Sequence, residues 1–305
     1  MIDNADHSKS VGQCSRAALA RVLVALAVCV LLAGCTVARL GYEMLPWFAS
    51  WQLDRHLSLD DSQRQLVSAR LEAIHAWHRQ TQLPRYAKLV DTGLERLGPS
   101  VTAEDMAGWR TAMMAQWADP AERLAPDMAD LALSLRPLQI DRLDKRLAEA
   151  TAALRNKNLD AAPERRLEAR IERWQDRLQW LLGDLNNSQV RELRRLAAQF
   201  PSDEAAWLEE REARNARLLK LLRAIERERP ARDEVVRMCA DFLVNFWRSD
   251  QPERAKRLEA NAANGDRVSA MMISTATSAQ REHLRTRLRD IEADFLRMIA
   301  RAHRS

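Results

Sequence analysis

A helix-start signature recurs along this chain, and the apolar residues behind each copy keep one phase. The four copies are Leu59-Asp60-Asp61-Ser62-Gln63, Val101-Thr102-Ala103-Glu104-Asp105, Leu185-Asn186-Asn187-Ser188-Gln189 and Ala276-Thr277-Ser278-Ala279-Gln280. In each, an oxygen-bearing cap residue (Asp60, Thr102, Asn186 or Thr277) precedes Asp105 or a glutamine (Gln63, Gln189, Gln280) by three positions. The cap oxygen can accept from the third backbone N–H while the longer side chain reaches back to the cap's own N–H, so each copy starts a helix. Seven residues behind the caps stand Val67, Trp109, Leu193 and Leu284; eleven behind stand Leu71, Met113, Ala197 and Leu288. Steps of four and three keep these on one face, so four helices are expected to bury similar stripes. The unequal intervals between copies rule out a regular solenoid.

The rest of the chain is consistent with an all-α bundle of about ten helices. Alternating β-branched runs are missing, and Pro46, Pro84, Pro120, Pro126, Pro137, Pro163, Pro201, Pro230 and Pro252 fall mostly where one helix ends or another begins. The series Leu167, Ile171, Trp174, Leu178, Leu181, Leu185 steps by four and three like a coiled-coil seam, whose partner is expected within this chain.

The first 35 residues carry an address. Lys9, Arg16 and Arg21 precede an apolar run from Val22 to Leu32, too short for a permanent span, and then Leu32-Ala33-Gly34-Cys35. The segment before the run is long for its kind and points to a misplaced start codon. Leu-Ala-Gly-Cys resembles the lipobox of bacterial lipoproteins, which implies cleavage between Gly34 and Cys35, diacylglycerol on the Cys35 thiol and an N-acyl chain on its amine. Thr36, rather than Asp, implies sorting to the outer membrane, facing the periplasm. The expected organisation is therefore a signal peptide over 1–34, a lipidated aromatic segment over 35–58 and a helical bundle over 59–305. Cys14 and Cys29 would leave with the signal, and Cys239, in an apolar stretch, reads as a buried hydrophobe.

Little here suggests chemistry. Basic side chains number 48 against 43 acidic, a net charge of +5 that describes mixed solvated faces rather than a nucleic-acid surface. Glu72 and His75 have the Glu-x-x-His spacing of di-iron bundles, but no second such pair occurs, and His78 falls on the buried phase. Neither a phosphate loop, a nucleophile elbow nor a His-Glu-x-x-His helix is present. No enzyme, cofactor or metal is expected. Tyr42, Trp47, Phe48 and Trp51 follow the lipobox closely. They either rest at a headgroup layer or pack into the bundle, and the four-residue step from Trp47 to Trp51 favours packing.

Arg39 to Tyr42, Trp47 to Asp54, the Leu59 box and Trp77 to Tyr86 resemble an uncharacterised family of proteobacterial lipoproteins, with likeness continuing through Phe246-Trp247, Arg257-Leu258, Gly265-Asp266 and Thr277 to Leu284. The boxes also resemble the Leu-Thr-x-x-Gln motif of Spy and CpxP type periplasmic chaperones, with Asp60 and Asn186 where that motif has Thr. The function expected is a non-enzymatic, lipid-anchored envelope protein that binds another protein or maintains the envelope; the alternative is a Spy-like chaperone or stress sensor.

Overall fold

The computed structural model describes residues 40–98 and 100–302, so the lipobox and Cys35 lie outside the described residues. Residues 40–44 form a short helical turn, and the compact unit runs from Pro46 onward. Twelve helices and no strand occur among the described residues: α1 Leu45–Leu57, α2 Asp61–Thr81, α3 Leu83–Arg96, α4 Ala103–Ala115, α5 Ala118–Ser134, α6 Pro137–Asn158, α7 Pro163–Leu182, α8 Asn187–Gln199, α9 Glu204–Glu228, α10 Arg232–Val244, α11 Pro252–Ser274 and α12 Ser278–Ala302. The chain is an all-α multi-helix bundle. Proline stands in the first two positions of α3, α6, α7 and α11, where its missing N–H costs nothing. Gly183 (φ 78°) ends α7 in a conformation that side chains avoid.

The apolar faces gather into two cores. The first takes Leu57, Leu59, Val67, Leu135, Ile140 and Leu143 together with residues of α5, α9 and α10. Within it, Ala121, Ala125, Ala129 and Ala132 make a stripe of small side chains along α5, and Val235, Cys239 and Leu243 make a four-step ridge on α10, so the two helices approach closely along their lengths. The second core takes Ile171, Leu178 and Leu182 of α7, Leu193, Leu196 and Ala197 of α8, and buried residues of α11 and α12. Leu167, Trp174, Leu181 and Leu185 pack partly buried against it, so the heptad-like seam meets partners inside this chain, chiefly α8 and α12. Helix α2 touches both α3 and α12, and α9 touches α11, joining the two halves.

Candidate functional site

Four buried glutamines organise the helix starts, in two pairs of the same design. Gln63 Nε2 donates to Gln139 Oε1 at 3.2 Å and Gln139 Nε2 donates back to Gln63 Oε1 at 2.7 Å. Gln189 and Gln280 repeat this at 2.7 and 3.0 Å. In both pairs each amide also donates to the carbonyl two residues before the other helix's cap: Gln63 to Ser134 O, Gln139 to Ser58 O, Gln189 to Thr275 O and Gln280 to Asp184 O, at 2.7–3.2 Å. Each glutamine oxygen accepts its own cap's N–H, from Asp60, Arg136, Asn186 and Thr277. A glutamine is the one side chain with both an acceptor and two donors at this reach, so every one of its groups is used and burial costs no orphaned polarity. The likeness extends to the next residue: Arg64 donates to Leu59 O and Arg281 to Ala276 O. These clasps tie α2 to α6 in the first core and α8 to α12 in the second.

Two features were not foreseen. The fourth clasp member, Leu135-Arg136-Pro137-Leu138-Gln139, escapes the cap pattern because Arg136 offers no oxygen. Its signal was nevertheless present, since Leu143 is buried and Leu147 partly buried seven and eleven residues behind Arg136. Conversely, Thr102 and Asp105 do cap α4, with Asp105 N donating to Thr102 Oγ1 at 3.1 Å, but the box is exposed and pairs with no other. The stripe expected behind it fails too: Trp109 and Met113 are each 38 % exposed and α4 buries nothing fully. Helix α4 lies on the outside of α11, held by Arg110 reaching Asp266 at 3.0 Å, and an outer helix needs no full core stripe.

Asp60 accepts from Gln63 N at 3.0 Å and from Ser62 Oγ at 2.7 Å, and pairs with Arg136. The Gln63 backbone N–H first, then Ser62 and Arg136, hold its carboxyl down at about 2. Asn186 accepts from Ser188 N and Gln189 N, both at 3.0 Å. Thr277 Oγ1 accepts from Gln280 N at 3.2 Å.

Residues with chemical potential are occupied structurally. Burial raises the Cys239 thiol to about 11, so it is a poor nucleophile. Glu72 faces solvent whereas His75 is buried, and the His78 ring packs on Tyr86 at 5.6 Å. Burial first, and the nearby His75 second, push His78 below its ordinary value. Among the described residues no three His, Cys, Asp or Glu side chains gather as a metal site would require. Glu210 is buried in α9; desolvation pushes its carboxyl up, but Arg217, Ser249 and Arg254 outweigh that and leave it lowered. Arg217 and Arg254 meet it at 2.8 and 2.9 Å, pinning α9 to α11.

Two open clefts of about 500 and 460 Å³ share Arg170, Pro201, Ser202 and Asn261. Three of their arginines are engaged within the protein: Arg170 with Ala197 O at 2.6 Å, Arg173 with Glu204 at 2.7 Å, and Arg257 with Asp203 at 2.6 Å and Glu209 at 2.8 Å. These contacts clamp α7 to α8 and to the start of α9, and α11 to α9. A third cavity, about 220 Å³, is more enclosed and mainly apolar, and lies among α3, α4, α7, α11 and α12.

Residues 55–242 match the profile of a family of unknown function, DUF6279. The chain belongs to that family. The DUF6279 match holds Gln63, Gln139 and Gln189 and covers the Leu59 box and Trp77 to Tyr86, but it begins after Arg39 to Tyr42 and Trp47 to Asp54 and stops before Gln280 and the stretch from Phe246 to Leu284, where likeness was also expected. No curated protein and no solved structure matches the chain.

The aromatic residues of α1 are the remaining surface feature. Pro46 and Leu57 are buried and Leu53 packs on the first core, while Trp47, Phe48 and Trp51 are 62, 48 and 43 % exposed. Leu53 lies about 200° around the helix from Trp51, so the aromatics occupy the solvent side. The packing expected for Trp47 and Trp51 is therefore not found, because the buried stripe of α1 is taken by aliphatic residues. Phe48 and Trp51 contact each other at 5.7 Å between centroids, and the Arg55 guanidinium lies 5.5 Å from the Trp51 ring. Among the described residues no helix is long and apolar enough to cross a membrane.

Proposed function

We propose that this protein is a non-enzymatic lipoprotein of the bacterial envelope, tethered through Cys35 and presenting its helical bundle to the periplasm, where it binds another envelope component. The observation that carries the reading is the exposed aromatic face of α1, beginning twelve residues after the lipobox cysteine. Indole rings with an apolar body and a polar N–H favour the bilayer interface, and the nearby Arg55 suits anionic headgroups. Acyl chains at Cys35 supply the affinity; the Trp47, Phe48 and Trp51 face adds a second contact that fixes how the bundle stands on the surface.

The test is metabolic labelling with an alkyne fatty acid, followed by mass spectrometry of the N-terminal peptide and of proteins crosslinked in intact cells, with a Cys35→Ala comparison. An N-terminal Cys35 carrying S-diacylglycerol and an N-acyl chain, three acyl chains in all and lost with the membrane association in Cys35→Ala, supports the reading. An N-terminus elsewhere, or an unlabelled protein still bound to membrane, overturns it. One envelope complex captured only by the tethered form identifies the partner class; a broad set of unfolded periplasmic proteins favours a chaperone instead.

A further inference from the structure

The least open of these cavities, in the second core, has an apolar floor and a polar rim. Val101, Ile273, Leu284 and Leu288, all buried, line its inner part, and the exposed lining residues Arg96, Asp105 and Trp109 define the mouth. The Trp109 indole N–H donates to Leu89 O at 3.3 Å, laying the ring over α3. It can lie there because residue 93 is glycine: a Cβ at Gly93 would come within 3.1 Å of Trp109 Nε1. A larger side chain on that turn of α3 would displace the indole.

We propose that this cavity is a binding site for a short linear apolar chain with an uncharged polar end. The apolar floor excludes a charged tail, whose burial without a partner is prohibitive. At the rim, Arg96 and Asp105 carry opposite charges, so neither an anionic nor a cationic head gains over a neutral hydroxyl, which can donate to one and accept from the other. Size follows by proportion: an apolar protein cavity of about 150 Å³ takes benzene, with six carbons, so 220 Å³ takes roughly nine heavy atoms. The site is independent of lipidation and of α1.

The test uses residues 36–305, which keep every described helix and all of both cores, purified without detergent. The probe is 7-bromo-1-heptanol, whose bromine quenches a neighbouring indole. Saturable quenching is expected, with its saturable part abolished in Trp109→Phe while the other tryptophans keep only linear collisional quenching. Ala112→Leu, which fills the lining from α4, should weaken binding at least tenfold with unchanged thermal stability. A crystal soaked with the probe should show the bromine anomalous signal within the cavity. Linear quenching in the parent, quenching unaffected by both substitutions, or bromine found only elsewhere would overturn the assignment. Heptanoate binding tighter than the alcohol would overturn the neutral-head part of it.

Discussion

Replacing Gln189 by leucine probes the clasp design directly. The substitution removes both bonds to Gln280, the bond to Thr275 O and the acceptor for Asn186 N. Asn186 is exposed and water can replace its lost partner, but Gln280 is only 8 % exposed and keeps a single acceptor for its amide, Asp184 O. At about 1–3 kcal/mol for each buried polar group left short of a partner, the expected loss is about 2–4 kcal/mol. For a chain of this size that lowers Tm by about 5–15 °C. Urea denaturation of Gln189→Leu, Gln280→Leu and the double variant then closes a cycle. The double variant leaves no orphan within the pair, so it should lose less than the sum, with a coupling of about 1–2 kcal/mol. Combining Gln189→Leu with Gln63→Leu, which lies in the other core, should be additive within about 0.5 kcal/mol. A single-variant loss below about 0.5 kcal/mol, or equal coupling within and between clasps, would refute the reasoning.

Four further outcomes are expected. Because the folded Asp60 carboxyl sits at about 2 against an ordinary 3.8, its stabilising effect is complete above about pH 4 and disappears as pH falls through 2; the stability gap between the parent and Asp60→Asn, followed by circular dichroism, should close over that window. Glu210→Leu strands Arg217 and Arg254 and should cost about 3 kcal/mol, the low end for a broken buried pair because both arginines still reach Asp250, with no loss in denaturation midpoint as the contrary result. Gly183→Ala should destabilise by about 1–3 kcal/mol through backbone strain alone, since the added Cβ would stand 3.7 Å from its nearest neighbour, an ordinary contact. The paired change Trp47→Ser and Trp51→Ser should leave stability within about 0.5 kcal/mol while changing how the lipidated protein lies on anionic vesicles, measured by neutron reflectometry; a large drop in Tm would mean that these rings belong to the core.

The helices themselves, and the places where they start, follow from rules that act over three or four residues. A cap oxygen at Asp60, Thr102, Asn186 or Thr277 needs only the next turn of backbone, and the spacing of Leu167, Ile171, Trp174, Leu178 and Leu181 states which side of α7 is buried whatever it meets. For that reason the all-α architecture was legible in the residues alone. What a helix face meets is set elsewhere in the chain. Thr102 and Asn186 start helices by the same local chemistry, yet one helix lies outside α11 and the other inside the second core. No local rule separates Trp109, half exposed at a cavity mouth, from Leu193, fully buried.

The clasps show the division most clearly. Gln63 reaches Gln139 across 76 residues and Gln189 reaches Gln280 across 91, so although capping gives each glutamine oxygen a local role, the use of its amide N–H groups exists only after the pairs of helices have met. Sequence periodicity and capping determined that the helices form and which faces are apolar. The tertiary structure alone decided that two of those starts join in each core, that the aromatic side of α1 faces outward and that a cavity remains under Trp109. The physical reason is range: hydrogen bonds within one turn are written in neighbouring residues, whereas burial is a property of the surfaces that distant segments bring together.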